Sequence, residues 1–270
     1  WVARFDDQKK AASSAQLLPK LVKNSLFLGY STDIIDCVSY AKEKGVLDIH
    51  ITTNGLLLTD DLAKGLVENG LNLLVLSYDR YHMKASSLGE VEYTAFMQNV
   101  SKKVDRLRSR TRQSQLKIRV QSCVDDYSSD NIAKETYRIS GLFPEADFIL
   151  INPVYESYAV RPHLMNMEEY YFYPCSYLWQ RLTIYADGTV TTCSRDYDAQ
   201  YNRIGNVNSN SIYDLWHSTR LREMRKKHLH GGRKAYQICA VCENYLIHKK
   251  YGQPGSGCTG LVYDIEEKTH

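Results

Sequence analysis

Four cysteines have the spacing of a metal site that is assembled from two distant parts of the chain. Cys175 and Cys193 are separated by 17 residues, and Cys239 and Cys242 form a Cys-x2-Cys pair after a further 45 residues. Two thiols this close along the backbone can bind one metal centre if the fold brings the first pair alongside. Four thiolates suit either a structural zinc or an iron–sulfur cluster, and spacing alone does not separate the two. The alternative is a set of unrelated buried thiols, because free cysteine is a common core residue.

The residues between the first two cysteines predict a hairpin. Asp187-Gly188 lies between two alternating apolar runs, a typical signal for the turn of a β-hairpin. We therefore expect the return strand to carry Cys193.

The region from Cys175 to Cys242 resembles the SPASM/Twitch extension of radical S-adenosylmethionine (SAM) enzymes. In that family a Cys, a hairpin with Asp-Gly and a second Cys come first, as they do here. A Gly-Asn-Val turn follows, matched by residues 205–207, and then a helix that contains Trp, matched by Trp216, precedes the Cys-x2-Cys. The resemblance covers about seventy residues. It implies that the four cysteines hold an auxiliary four-iron four-sulfur (4Fe-4S) cluster.

The resemblance also indicates the number of clusters. The larger SPASM version adds cysteines after the Cys-x2-Cys and holds two clusters, whereas His248 and Gly252 occupy the expected next positions here. We therefore expect one auxiliary cluster, as in the Twitch version. His248 is also near enough in sequence to Cys239 and Cys242 to compete for metal, and this alternative stays open.

Upstream of the cysteines, strand-like and helix-like stretches alternate, which predicts βα units and a parallel sheet. The predicted strands are 48–53, 72–77, 116–122 and 147–152, and the predicted helices are 33–44, 59–69, 92–110 and 129–139. We expect an α/β fold in which an incomplete (β/α) radical SAM-type barrel, residues 1–160, is followed by a small α+β SPASM/Twitch domain, residues 161–270. Prolines between 153 and 174 mark the boundary.

Two of the predicted strands end in polar residues, at the edge where parallel sheets bind ligands. One ends in Thr53-Asn54-Gly55 and the next in Ser77-Tyr-Asp79. Alone, an Asn-Gly is usually a turn and a Ser-x-Asp usually caps a loop. Together they are similar to the radical SAM barrel, in which Thr-Asn-Gly and Ser-x-Asp occupy successive strand ends beside SAM. The resemblance implies that Thr53, Asn54, Ser77 and Asp79 bind SAM.

The sequence departs from the family at the core cluster. A radical SAM enzyme needs a Cys-x3-Cys-x2-Cys loop, whereas the remaining cysteines here, Cys37, Cys123 and Cys258, are too dispersed to form one. The Gly-Gly-Glu-Pro segment that contacts SAM is also missing, and residues 26–33 stand where it would end. Because the chain begins at Trp1 without an initiator Met, we expect truncation rather than a degenerate barrel that has lost the chemistry. No catalytic residue is assigned.

Composition and charge indicate which classes of partner and which cellular compartment to expect. A net charge of +3 over 270 residues does not indicate a nucleic-acid partner. No apolar stretch is long enough to span a membrane, and the N-terminus has no signal-peptide pattern. Seven cysteines with a metal-type subset fit a reducing compartment, so we expect the cytoplasm. The basic run 222–233, which includes Arg225 and His228, is expected to form a solvated face.

The expected function is that of a radical SAM enzyme. The resemblance implies that a deoxyadenosyl radical abstracts a hydrogen atom from a peptide or small-molecule substrate, and that the auxiliary cluster accepts an electron or positions the substrate. It also implies a reducing partner such as a flavodoxin or ferredoxin. SAM and a second 4Fe-4S cluster are expected only if the missing loop exists. The alternative is a noncatalytic module, in which zinc or a structural cluster sits on a degenerate barrel used for docking.

Overall fold

The structure is a computed structural model that describes residues 2–3, 25–28, 34–111, 114–126, 128–154, 174–185, 187–196, 199–230, 232–240, 242 and 261–264. The chain divides into two compact units. We call residues 24–154 and 260–270 the sheet unit, and residues 1–23 and 155–259 the cysteine unit. The domain limits drawn from the sequence, 1–160 and 161–270, stay a prediction. Within the described residues, every helix is too short or too polar to cross a membrane.

Strands and helices alternate through the first half of the described chain. The strands are β1 (Val2–Ala3), β2 (Ser25–Leu28), β3 (Asp48–Thr53), β4 (Leu73–Ser77), β5 (Lys117–Val124), β6 (Phe148–Pro153), β7 (Thr183–Ile184), β8 (Thr189–Thr191), β9 (Arg203–Asn206) and β10 (Leu261–Asp264). The helices are α1 (Ile34–Glu43), α2 (Asp60–Glu68), α3 (Arg80–Ser86), α4 (Glu90–Arg110), α5 (Ser129–Leu142), α6 (Tyr177–Gln180), α7 (Ile212–Trp216), α8 (Thr219–Leu229) and α9 (Gln237–Ala240), with a 3₁₀ turn at Gly232–Ala235.

The sheet unit is built on a parallel sheet whose strands follow chain order. Strands β2 to β6 pair in parallel, and β10 pairs with β6 in the antiparallel direction. Helices connect successive parallel strands, as such connections require. Helix α2 shows how the sequence sets the limits: the Thr59 hydroxyl accepts a hydrogen bond from the Leu62 amide, and Gly70, just beyond the helix, adopts a φ of +87°. The α/β fold predicted from the sequence is confirmed.

The register gives the parallel sheet two different faces. Ile51 pairs with Leu74 and Leu74 with Ile118, and all three side chains are buried. Because side chains alternate along a strand, these positions share the face that the helices cover. The fully buried residues of this core include Ile49, Leu76, Met97, Ile118, Ile132, Ile139, Ile149 and Ile151. The opposite face, which we call the polar face, carries Ser77, Arg119, Gln121, Cys123 and Asn152.

Asp147 fixes the start of β6 against β5 and α4. Its carboxylate accepts hydrogen bonds from the Ile118 amide at 2.8 Å, from Lys117 Nζ at 2.9 Å and from the Arg108 guanidinium. Burial alone raises the pKa of Asp147, but these three donors outweigh it and hold the pKa below its ordinary value. The ionised form is therefore bound more strongly in the folded state than in the unfolded chain.

We expect Asp147→Asn to lower the stability of the sheet unit at pH 7 by about 2 kcal/mol, because it weakens a half-buried ion pair. The contribution of Asp147 is fully present above the unfolded-state pKa of about 3.9 and is lost as pH falls through the lower folded-state pKa. The difference between variant and wild type should therefore shrink below about pH 4. Urea unfolding from pH 2 to 7 measures this difference in stability.

The control is Asp125→Asn, at an exposed ion pair with Arg80, which should lower stability by less than about 1 kcal/mol. A pH-independent difference for Asp147→Asn contradicts this account.

The cysteine unit contains a short antiparallel sheet and helices that share one apolar core. Strands β7, β8 and β9 pair in order, and β1 adds to β7 in parallel. Between β7 and β8, Gly188 has a φ of +83°, and the Asp187 carboxylate accepts hydrogen bonds from the Thr189 amide and hydroxyl. The predicted hairpin is confirmed. The core comprises Leu178, Leu182, Ile184, Val190, Val207, Ile212, Leu215, Leu221 and Met224.

Candidate metal centre

Cys175 lies just before α6 and is held by helix α8. Its backbone amide donates to Nδ1 of His228 at 3.3 Å, and the His228 side chain is completely buried. Because Nδ1 accepts this bond, the proton of a neutral imidazole is on Nε2. One turn earlier in α8, Arg225 donates to the carbonyls of Leu178 and Trp216, at 2.8 and 3.1 Å. Helix α8 is therefore tied to the start of the first cysteine arm and to the end of α7.

This arrangement corrects the interpretation of the basic run 222–233 as a solvated face. Arg225 is half-buried and its guanidinium stacks on the Trp216 ring, with 4.3 Å between the guanidinium carbon and the ring centroid. Burial lowers the pKa of Arg225 from its ordinary value. His228 is buried as well. One side of α8 is therefore basic and exposed. The other side, with Arg225 and His228, packs against the Cys175 turn.

Cys193 begins a tight turn after the hairpin. Strand β8 ends at Thr191, so Cys193 lies two residues beyond the return strand and not on it, which corrects the sequence prediction. The backbone amide of Arg195 donates a hydrogen bond to the Cys193 sulfur, and the Asp196 amide donates to the Cys193 carbonyl at 3.1 Å. The backbone of this turn therefore contacts both the thiol and the carbonyl of Cys193.

The turn after Cys193 is organised around a buried carboxylate. Asp196 has no exposed surface, and its side chain accepts hydrogen bonds from the Thr191 hydroxyl at 3.1 Å, from the Asn202 amide at 2.8 Å and from the Tyr201 amide. Its backbone carbonyl accepts from the Tyr185 hydroxyl and from the Ala199 amide. Asp196 therefore fixes both the residues that follow Cys193 and the backbone at Asn202.

The second arm follows α8 directly. Cys239 is buried in the short helix α9, and the Cys242 amide donates to the Cys239 carbonyl at 3.5 Å, which closes one turn between the two cysteines. The side-chain amide of Asn202 lies 3.8 Å from the Cys239 sulfur, and Nη1 of Arg195 lies 3.8 Å from the Cys242 sulfur. Both donors come from the turn after Cys193, so the two arms contact each other.

The four thiols lie in one neighbourhood. Burial raises the pKa of Cys193 far above its ordinary value, and the adjacent Cys242 thiol raises it further, followed by Cys175 and Cys239. The fold therefore brings together the residues that the sequence pattern separated by 45 positions. Around a bound metal, the positive charge would reverse this penalty and favour the thiolates.

The spacing of the thiols bears on which group they fit. A tetrahedral zinc site with Zn–S bonds of about 2.3 Å needs sulfur atoms about 3.8 Å apart. Within the described residues, no three Cys, His, Asp or Glu side chains converge closely enough to hold a single metal ion. A 4Fe-4S cluster also takes four thiolates but spreads them around a larger core. The donor set of the four cysteines therefore fits such a cluster. His248, the competing ligand considered from the sequence, lies outside the described residues, as does Cys258.

The predicted SAM residues fall at the carboxyl edge of the parallel sheet, where the structure brings together only some of them. Ser77 and Asp79 follow β4, the Ser77 hydroxyl accepts from the Gln121 side chain at 3.0 Å, and both residues are buried. Thr53 pairs with Leu76 and so belongs to the helix-covered face. Its hydroxyl accepts from the Gly55 amide, and the Asn54 side chain accepts from the Leu56 amide. These two side chains stabilise the turn after β3.

The Asp79 carboxylate already has hydrogen-bond partners in helix α3, which begins at the next residue. Its carboxylate caps α3 by accepting from the amides of Tyr81 and His82, at 2.9 and 3.0 Å, and lies 2.9 Å from His82 Nδ1. Burial alone raises the pKa of Asp79, but these hydrogen bonds hold it below its ordinary value. The adjacent Cys123 thiol has its pKa raised to about 11 by burial and then by the Asp79 charge.

The polar face contains residues that the sequence reasoning missed. Gln121 pairs with Ser77 and Cys123 pairs with Asn152 in the register, and the buried Asn152 Oδ1 has no hydrogen-bond partner within the described residues. Strand alternation could have indicated Gln121 and Cys123, because they stand two and four residues after Arg119 and so share its face of the strand.

A family of known proteins resembles part of this chain in sequence, and solved structures resemble it in fold. The SPASM model of an iron–sulfur cluster-binding domain matches residues 175–243. BtrN in complex with AdoMet and 2-DOIA is 14% identical, with a TM-score of 0.50 over 88% of this chain and 80% of BtrN. Streptococcus suis SuiB bound to S-adenosylmethionine is 12% identical, with a TM-score of 0.55 over 90% of this chain and 68% of SuiB. SuiB bound to the precursor peptide SuiA has a TM-score of 0.51 at 13% identity, over 82% of this chain and 60% of SuiB.

At these identities the two solved proteins show the shared fold. No curated protein matches this chain in sequence. The SPASM match begins at Cys175 and ends one residue after Cys242, so it encloses the four thiols that the structure brings together. Residues 175–243 therefore match an iron–sulfur cluster-binding domain, the SPASM domain, in a chain whose α/β fold is similar to that of BtrN and SuiB.

Proposed function

We propose that Cys175, Cys193, Cys239 and Cys242 hold one auxiliary 4Fe-4S cluster, the single-cluster Twitch arrangement. The observation that supports this most directly is the neighbourhood of four thiols, which lies within the SPASM match. Such a cluster supplies one-electron transfer or a fixed surface against which a substrate is positioned. The protein's part is to deliver four thiolates, exclude water from Cys239 and hold both arms through Asp196 and His228.

We propose radical SAM chemistry, hydrogen-atom abstraction, for the sheet unit. The likeness to BtrN with AdoMet and to SuiB with AdoMet or a peptide supports SAM as cofactor and a peptide or small molecule as substrate. SAM would lie at the carboxyl edge of the sheet, against Ser77, Asp79 and the Thr53-Asn54 turn. SAM cleavage also needs a Cys-x3-Cys-x2-Cys segment, which these 270 residues do not contain. SAM and a second cluster are therefore proposed for this sheet only in combination with such a segment.

The proposed iron–sulfur chemistry also indicates the compartment and the class of electron donor. Thiolate-bound iron persists in reducing compartments, so we place the protein in the cytoplasm. A flavodoxin or ferredoxin is the class of partner that delivers single electrons at low potential.

The redox proposal is tested by spectroscopy of the anaerobically reconstituted chain. We expect a broad brown absorption that bleaches on reduction with dithionite, together with a paramagnetic resonance signal from the reduced state. The same protein reconstituted with zinc alone is the control and should stay colourless. A chain that takes up iron and sulfide without any absorption or resonance above the zinc control contradicts the proposal.

One observation favours a noncatalytic role for the sheet unit. The Asp79 carboxylate already accepts from two backbone amides and contacts His82, so its capacity to bind a further hydroxyl is reduced. Equilibrium dialysis with labelled SAM separates the two functions. Saturable binding that Ser77→Tyr abolishes supports the SAM site, and no binding in a preparation that also carries a Cys-x3-Cys-x2-Cys segment supports the docking module.

A further inference from the structure

One segment, comprising residues 193–196 and 199–202, supplies hydrogen-bond donors to three of the four thiols. The backbone amide of Arg195 donates to the Cys193 sulfur. The guanidinium of the same residue donates to the Cys242 sulfur over 3.8 Å, and the side-chain amide of Asn202 donates to the Cys239 sulfur over 3.8 Å. We call this segment the donor loop.

The donors of the donor loop are held in place by contacts that do not involve sulfur. Asn202 is 1% exposed, and its backbone amide is bound to the Asp196 carboxylate at 2.8 Å. Arg195 is half-buried and directly precedes Asp196, whose side chain is also bound by the Thr191 hydroxyl. A buried amide has few alternative partners, so the Asn202 side chain stays directed at Cys239.

Hydrogen-bond donors to thiolate sulfur change the reduction potential of a bound cluster, because they stabilise negative charge on it. Reduction adds one negative charge to the cluster and its thiolates, and N–H donors and a guanidinium stabilise the more negative state more strongly. In a buried site this effect is larger than in water, because solvent screens it less. Hydrogen bonds to the sulfurs are among the features that set the potentials of such clusters. Removing a donor should therefore lower the reduction potential.

We propose that Arg195 and Asn202 raise the reduction potential of the auxiliary cluster and so adapt it to accept an electron. This inference rests on the proposed function, because it requires the cluster to be present. It extends that function, since a raised potential favours electron acceptance over a purely positional role. The guanidinium contributes both charge and hydrogen bonding, whereas the amide contributes hydrogen bonding only, so Arg195 has the larger effect.

The test is a potentiometric titration of the reconstituted chain, followed by paramagnetic resonance. The variants are Arg195→Met, Arg195→Lys and Asn202→Leu, and the control is Arg222→Met, which removes an exposed arginine bonded to Thr219. We expect Arg195→Met to lower the equilibrium constant for reduction about tenfold, a fall of about 59 mV for one electron. Asn202→Leu should give a smaller fall, Arg195→Lys should keep most of the wild-type potential, and Arg222→Met should equal wild type.

Iron and sulfide content of each variant distinguishes the outcomes. A wild-type chain that holds no cluster overturns the proposed function. A wild-type chain that holds the cluster, with all three variants at its potential, overturns only this inference. If Arg195→Met loses iron, Asn202→Leu decides: a lowered potential at full iron content supports the donor loop, and an unchanged potential contradicts it.

Discussion

Replacing Cys239 and Cys242 together with alanine is expected to reduce the iron of the reconstituted chain to the background level. The two thiols are half of the proposed ligand set, and the Cys239 arm is also the partner of Asn202. With two ligands left, the cluster cannot be retained, because each of its four irons takes one cysteine. Iron and sulfide analysis with the visible spectrum measures the effect, which should be a loss of the whole absorption.

The matched control removes two cysteines from the sheet unit. Cys37 is buried in α1 and Cys123 lies in β5 near Asp79, both outside the SPASM match. We expect Cys37→Ala with Cys123→Ala to leave iron content unchanged and to cost only the packing of two small side chains, about 1–2 kcal/mol each. Full iron content in the Cys239 and Cys242 double variant, or iron loss in the control, would contradict the assigned ligands.

The second large effect is expected at Asp196, whose carboxylate holds the turn after Cys193. Asp196→Ala leaves the Thr191 hydroxyl and the backbone amides of Tyr201 and Asn202 without their acceptor in a buried turn. Hydrogen bonds to a charged group contribute about 1.5–3 kcal/mol each, so the cysteine unit should lose about 5 kcal/mol and its Tm should fall by about 20 °C. Because this turn follows Cys193 and contains the donors Arg195 and Asn202, iron content should fall as well.

Asp214 provides the control for Asp196. Its exposed carboxylate accepts from the Ser211 hydroxyl at the start of α7, so Asp214→Ala removes a charge and one hydrogen bond without opening a buried turn. A loss of less than about 1 kcal/mol and full iron content are expected. Thermal unfolding of the reconstituted proteins compares the two. Equal effects of both substitutions would show that Asp196 has no special part in holding the turn.

Much of the parallel sheet could be predicted because its signals are local. Strand β4 is apolar up to its last residue, Ser77, and is buried at every position, and helix α2 begins and ends at residues with clear capping preferences. The Asp187-Gly188 turn is equally local, since the glycine supplies the positive φ that the turn needs. The extent of the return strand was wrong, because nothing in the alternating pattern shows that β8 ends at Thr191.

The ligand cysteines were recognisable from type and spacing, whereas the residues that position them were not. Asp196 and Asn202 are polar residues in an irregular turn, where neither helical nor strand periodicity indicates burial. His228 lies in a basic helix and is buried only because α8 packs against Cys175, 53 residues away. Such contacts depend on tertiary structure, so one sequence by itself ranks these residues as surface positions.

The most direct measurement is the number of irons, sulfides and zincs bound per chain after anaerobic purification and reconstitution. Our account predicts about four irons and four sulfides with no stoichiometric zinc, because four thiolates within the SPASM match are the ligand set of such a cluster. One zinc per chain without iron or sulfide would contradict it and would make Cys175, Cys193, Cys239 and Cys242 a structural zinc site.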